Sequence, residues 1–325
     1  MSVLRLGRTL IAGGGKIPWQ VRETIEKKVF EGWSGGVSED VLSEIKEAML
    51  KAVYGEKATS KQSRQTLLLG EPEVAFLKAE AQQMAENAGA DKRTAKSLAA
   101  EWLKTNKSNL KAMSSGAKLP AGLAGALFGR MVTSDPRANI DAALHVAHAF
   151  TVHAEEVESD YFVAVDDLAE ADDTGADTIQ ETELTSGLFY GYVVVDLSAL
   201  HLNLGGDVGL MGEVLHNLIY LIAEVSPGAK LGSTAPYSRA SFMLLEAGDR
   251  QPRSLADAYR VPCRAETSTA VAVLCGHLAA MDQAYETGET RHVMSLSNRE
   301  VPSATRGSLR DLAAFAKSLA PQEAD

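Results

Sequence analysis

Residues 140–153 read IDAALHVAHAFTVH, and the periodicity of the chain changes there. Ile140, Ala142, Leu144, Val146, Phe150 and Val152 alternate with Asp141, His145, Thr151 and His153, the two-residue period of a half-buried strand. Upstream the period is helical. Val41, Leu42, Ile45, Met49, Leu50 and Val53 share one helix face, with Glu39 and Asp40 in the first turn and Gly55 beyond the end. Pro72 suits a first helical turn and opens a stripe of Val74, Leu77, Ala81 and Met84 that stops near Gly89. Ala95, Leu98, Ala99 and Trp102 continue the pattern after Asp91. Downstream, LFYGYVVVDL (188–197) is apolar on both faces and reads as a central strand. Asp207–Val225 is a helix with Met211, Leu215, Leu218 and Ile222 inward, closed by Ser-Pro-Gly. SRASFMLLE (238–246) is a further strand, and Ser308–Leu319 an amphipathic helix. The fold class is α+β. Strand, long insertion, strand, helix, strand make three strands and one helix of a ferredoxin-like unit. Its first strand and first helix are not evident upstream.

Charge is distributed in blocks. The net charge is −11, which by itself argues against a non-specific nucleic-acid binder. Residues 1–137 are net +6, residues 138–229 net −17 without a single Lys or Arg, and residues 230–325 net zero. Such segmentation points to more than one surface role. The two cysteines, Cys263 and Cys275, are too few for a disulfide framework and lack metal-ligand spacing. No apolar stretch approaches the length of a membrane span, and the N-terminal segment has no signal-type apolar run. A cytoplasmic protein is the expectation.

Several chemical motifs can be tested on spacing. His145, His148 and His153 do not form a zinc site on a strand: the first two face opposite sides, and His145 and His153 lie roughly 26 Å apart at ~3.3 Å per residue. The carboxylates Asp166, Asp167, Asp172, Asp173 and Asp177 do not follow the EF-hand pattern, and no nucleophile or base is coupled to them. They read as a solvated loop or an interaction surface. A metal-dependent hydrolase using this 166–177 loop is the enzymatic alternative. AGGGKIP (12–18) lacks the register of a phosphate loop. Lys92, Arg93 and Lys96 lie on one helix, followed by Lys104, Lys107, Lys111 and Lys118. Such a run is commonly a solvated face, and it also meets the requirements of a phosphate-contacting ridge.

ALFGRMVTSDP (126–136), ALHVAHAFTVH (143–153), DYFVAVDDL (160–168), TSGLFYGYVVVDLSAL (185–200), NLGG (203–206) and PGAK (227–230) occur in one order and spacing. Together they resemble the CasC family, the backbone subunit of the type I-E CRISPR Cascade complex. The resemblance implies a hand-shaped protein with a modified ferredoxin-like, RNA-recognition-motif palm. It implies helical fingers over 1–139, a palm strand over 140–154, a β-hairpin thumb over 155–186 and the rest of the palm over 187–325. It implies a non-catalytic role without cofactor: binding CRISPR RNA, stacking head to tail along it, and joining target DNA and other Cascade subunits. Met131 matches the position that wedges against a guide base, and Arg130 beside it suits a phosphate, with Thr133 and Ser134 in the same RNA-facing segment. Tyr161, Phe162 and Val165 match the thumb's stacking and apolar contacts, which are sequence-tolerant. Lys230 matches a loop facing the RNA backbone. Lys92, Arg93 and Lys96 fall in the fingers, where the family approaches target DNA.

The same resemblance exposes departures. The family begins with a first palm strand and a helix bearing a Ser-Gln-Ser-Leu-Lys-Arg motif, and the sequence is expected to lack both. SKQSRQT (60–66) is superficially similar but sits within the helical fingers. An absent central strand would leave its neighbours with unpaired edges, so a mis-assigned start or a truncated, non-functional product is the accompanying expectation.

Overall fold

The computed structural model describes residues 2–6, 20–21, 25–30, 33, 37–59, 64, 67–106, 122–132, 139–154, 158–164, 178–184, 186–225, 235 and 237–321. It is α+β. The helical part contains α1 (Glu39–Tyr54), α2 (Glu71–Ala88) and α3 (Lys92–Asn106). Ser38 caps α1 by accepting from the Val41 amide, and Gly70 with Glu73 forms the start of α2. The apolar stripes converge as the sequence predicts: Val41, Ile45, Met49, Val53, Leu77, Ala81, Ala95 and Ala99 are buried in one cluster. Trp102 closes it, its indole N–H donating to Glu80 at 2.8 Å. Arg64, within the SKQSRQT stretch, is interior too, donating to the Ala58 carbonyl and to Glu26.

The main sheet runs β11-β10-β9-β1-β8-β4. Its strands are β1 (Ser2–Leu6), β4 (Leu144–Val146), β8 (Phe189–Val195), β9 (Phe242–Ala247), β10 (Thr290–Ser295) and β11 (Ala304–Arg306), with β5 (Phe150–Thr151) pairing farther along β8. A separate pair joins β2 (Gln20–Val21) to β3 (Leu67–Leu68). The expectation of a missing first strand is corrected by β1. It is antiparallel to both neighbours, Val3 opposite Val194 on one side and Glu246 on the other. Both neighbouring edges are therefore satisfied, which removes the basis for inferring a defective product. The strand read over 140–152 is also modified. It is split into β4 and β5, although the Ala147 amide between them still donates to the Tyr192 carbonyl at 2.9 Å.

The strands that are apolar on both faces are so because helices cover both sides of the sheet. Met243 and Leu245 of β9, with Val193 and Val195 of β8, pack against α6 (Val208–Glu224) and α8 (Leu309–Ser318) through Met211, Leu215, Ile219 and Leu312. Phe242 and Leu244, with Tyr190, pack on the opposite side against Val271, Leu274 and Leu278 of α7 (Thr267–Tyr285). Each such side chain contributes about 1.5–3 kcal/mol on burial, enough for strands of six or seven residues to hold their register. Two short helices complete this layer, α4 (Gly122–Phe128) and α5 (Leu197–Asn203). Among the described residues no helix is long and apolar enough to cross a membrane.

Candidate nucleic-acid interface

The segment after α4 joins the helical part to the sheet. Gly129 ends α4 at φ +74°, and a Cβ there would lie 2.6 Å from the Ile140 carbonyl oxygen, so only glycine fits. Arg130 then exchanges two backbone hydrogen bonds with Ile140, both 2.9 Å. The Val132 amide donates to the Asn139 side chain at 2.6 Å, and Val132 is buried in the helical core. Between these two anchored residues Met131 projects outward, 70% exposed. An exposed thioether three residues after an exposed Phe128 gives this joint apolar groups open to solvent. Phe128 lies within the ALFGRMVTSDP motif but was not singled out in the sequence.

The structure corrects the expectation for Arg130. Its side chain is buried, and one guanidinium nitrogen donates to both carboxylate oxygens of Glu73 at 2.7 Å. Burial pushes the Glu73 carboxyl above its ordinary value, with Arg130 and the Gly70 amide pulling it back. This guanidinium is committed to the interior rather than presented to a phosphate. The reason is tertiary: Glu73 lies 57 residues upstream on α2.

The second element is a β-hairpin, β6 (Glu158–Ala164) and β7 (Thr178–Leu184), inserted between β5 and β8. Its register sets Tyr161 opposite Glu181 and Phe162 opposite Gln180. Successive positions on a strand belong to opposite faces, so Tyr161 shares its face with Glu181 and Glu183. Tyr161 is 63% exposed. At the hairpin's root His153 holds both ends: its Nε2 accepts from the Leu188 amide at 3.0 Å, so Nδ1 carries the proton given to the Ala154 carbonyl. The ring fills the space a Cβ at Gly187 would need.

Lys92, Arg93 and Lys96 are exposed on the first turns of α3, as a ridge requires. Asp91 caps that helix, accepting from the Arg93 and Thr94 amides. Lys92 is partly committed, 3.0 Å from Asp40 and 4.0 Å from Glu44, and the Asp40 contact raises its pKa. Thr133, Ser134, Val165 and Lys230 lie outside the described residues, as does the acidic run 166–177. The side chain of Phe162 is likewise not described. The candidate residues thus fall on three elements: the joint after α4, the hairpin and the start of α3.

A helical lobe, a mixed sheet covered on both sides and an inserted hairpin define an α+β protein. The family model for CT1975-like proteins matches residues 13–319, and the chain belongs to that family. Among solved structures the chain is similar to a subunit titled "CRISPR RNA-guided surveillance complex, pre-nicking", with a TM-score of 0.72, 19% identity, and coverage of 92% of this chain and 83% of that one. It is also similar to a chain of a "CRISPR RNA-guided surveillance complex", with a TM-score of 0.54, 22% identity, and coverage of 65% and 81%. At these identities the likeness is one of fold. A comparison with curated proteins gave no match.

Proposed function

We propose that the chain is a guide-RNA-binding backbone subunit of a Cascade-type CRISPR surveillance complex, of type I-E by its motifs. The observation that carries this reading is the likeness in fold, across 92% of the chain, to a subunit of an RNA-guided surveillance complex. The ordered motif set, the inserted hairpin and the outward Met131 add to it. On this reading the helical part, α1 to α3, is the fingers and 155–186 the thumb, while the sheet with α6 and α8 is a modified ferredoxin-like palm that also takes in β1, the first strand of the segment 1–139 expected to be fingers. Met131 wedges against a guide base, and the hairpin lies over the strand with Tyr161, Phe162 and Val165 in contact. Lys230 and the segment of Thr133 and Ser134 face the RNA backbone. Lys92, Arg93 and Lys96 serve target DNA. Copies stack head to tail along the guide, and the subunit does no bond-breaking chemistry.

Wedging and stacking explain how a chain of net charge −11 can hold RNA. Stacking is indifferent to base identity and needs few cations. The test is expression with a complete Cascade operon and its CRISPR array, followed by purification through a tag on this chain. Recovery of a small RNA with several copies of the chain per RNA is the expected result. A nucleic-acid-free monomer from the same cells would refute the reading.

A further inference from the structure

We infer that the buried Glu73–Arg130 ion pair is a register lock that fixes Met131 on the outer face of the joint between the helical part and the sheet. The inference rests on the reading of Met131 as the RNA wedge only for its consequence in binding; the positioning itself is a statement about the protein. Arg130, Met131 and Val132 are 7%, 70% and 1% exposed. This in-out-in pattern is that of an extended segment held from one side. In such a segment a slip of one residue exchanges the faces, turning Met131 inward and Arg130 outward.

Hydrophobic burial alone is a weak guard against that slip. Methionine is flexible and apolar, and fills core gaps readily, so the helical core would accept Met131 in place of its neighbour. The ion pair supplies the discrimination. Glu73 is fully buried and fixed on α2, where its Oε2 also accepts the Gly70 amide at 3.1 Å. With Arg130 in register, both its oxygens are satisfied at 2.7 Å. A slipped segment would leave this carboxylate buried against a thioether, a heavily penalised state. A pair of apolar residues could fill the same volume without that selectivity. Fixing register is the best-attested use of a buried ionic group.

The remaining contacts agree. The reciprocal Arg130–Ile140 backbone pair and the Val132–Asn139 bond hold the main chain on either side of Met131. Neither tells one side chain from the next, because backbone groups are common to all residues. Of these three contacts, the Glu73–Arg130 pair is the one that reads side-chain identity. Glu73 touches no surface where RNA could lie, so it acts through Arg130 and is a positioning residue.

The test uses the full chain labelled with ¹³C-methyl methionine. The sequence has nine methionines, and the Met131 line is assigned from its loss in Met131→Leu. The double variant Glu73→Gln/Arg130→Met removes both charges together, which avoids an orphaned buried ion, and keeps an oxygen for the Gly70 amide. The expected result is a folded protein in which the Met131 line shifts or broadens while methionine lines of the sheet core, such as Met211 and Met243, stay in place. An unchanged Met131 line in the folded double variant overturns the inference. Should the double variant unfold, Arg130→Lys keeps the charge and loosens the geometry. Broadening of the same line then supports the lock, and an unmoved line overturns it.

Binding to a single-stranded guide adds a second readout. Met131→Ala should weaken it about tenfold in the native background, and by less than about twofold in the double variant, since the wedge is already misplaced there. An equal loss in both backgrounds overturns the lock. No loss in the native background refutes the wedge reading instead, and the methyl spectrum still judges the pair.

Discussion

Tyr161 and Phe162 are adjacent in sequence but occupy alternate positions of β6, opposite Glu181 and Gln180. The Tyr161 face therefore carries two carboxylates, and on the proposed reading contact with RNA there would depend on the ring rather than on charge. Replacing both with alanine should weaken assembly on RNA by about tenfold or more, since a lost stack costs ~1–3 kcal/mol per base. Neutralising Asp172 and Asp173 to asparagine should leave assembly nearly unchanged. Size-exclusion chromatography on a fixed guide RNA measures both, and the opposite order would overturn the role of the hairpin. Residue-scale features were unevenly legible. Met131 and Tyr161 were singled out by the motif resemblance, and the structure leaves both exposed. The burial of Arg130 was not legible, because nothing within a Gly-Arg-Met tripeptide reports a carboxylate 57 positions away.

At the scale of elements, the turn at Gly129 decides how α4 is joined to the Arg130–Ile140 pair. Gly129→Ala would combine a disfavoured positive φ with a contact of 2.6 Å to backbone oxygen. Backbone cannot swing aside as a flexible side chain can, so a loss of at least about 2 kcal/mol in urea unfolding is expected. A variant as stable as the native chain would show that the turn relaxes freely. The helices α1, α2 and α3 and the central β8 were readable because a helical stripe held over at least two turns, or a long apolar run, leaves little ambiguity. The strand β1 was missed for the complementary reason. SVLRL is five residues followed by a glycine-rich stretch, and a short run like this has no period to measure. Its state is decided by β8 and β9, whose facing edges both require a partner. The same holds for β10 and β11, which are ordered by pairing rather than by pattern.

For the whole molecule, charge is organised from the inside as well as on the surface. Between β9, β10 and α7, Arg291 donates to Glu246 at 2.7 Å and also contacts Asp282 and Glu289, while Arg253 pairs with Glu289. Burial disfavours the Arg291 charge, but Asp282 and Glu246 more than offset it. Arg291→Met would take the nearest cation from the fully buried Glu246, which keeps Arg253 at 3.6 Å, so a loss of up to about 3 kcal/mol in chemical unfolding is expected. The exposed Lys92–Asp40 pair should contribute little to stability. Arg253 and Arg291 are thus spent on structure, whereas Lys92, Arg93 and Lys96 stand exposed together at the start of α3. If that ridge serves target DNA, its contribution must appear as released counterions. Replacing Lys92, Arg93 and Lys96 with glutamine should reduce the slope of log K against log salt by up to about 2 for single-stranded target, at ~0.7 per phosphate neutralised. The reduction should fall short of that limit, because Lys92 already shares its charge with Asp40 and Glu44. The slope for guide RNA should not move, since the joint and the hairpin proposed to hold it lie on other elements. Equal changes for guide and target would mean that the ridge is a general anion surface and not a target-binding one.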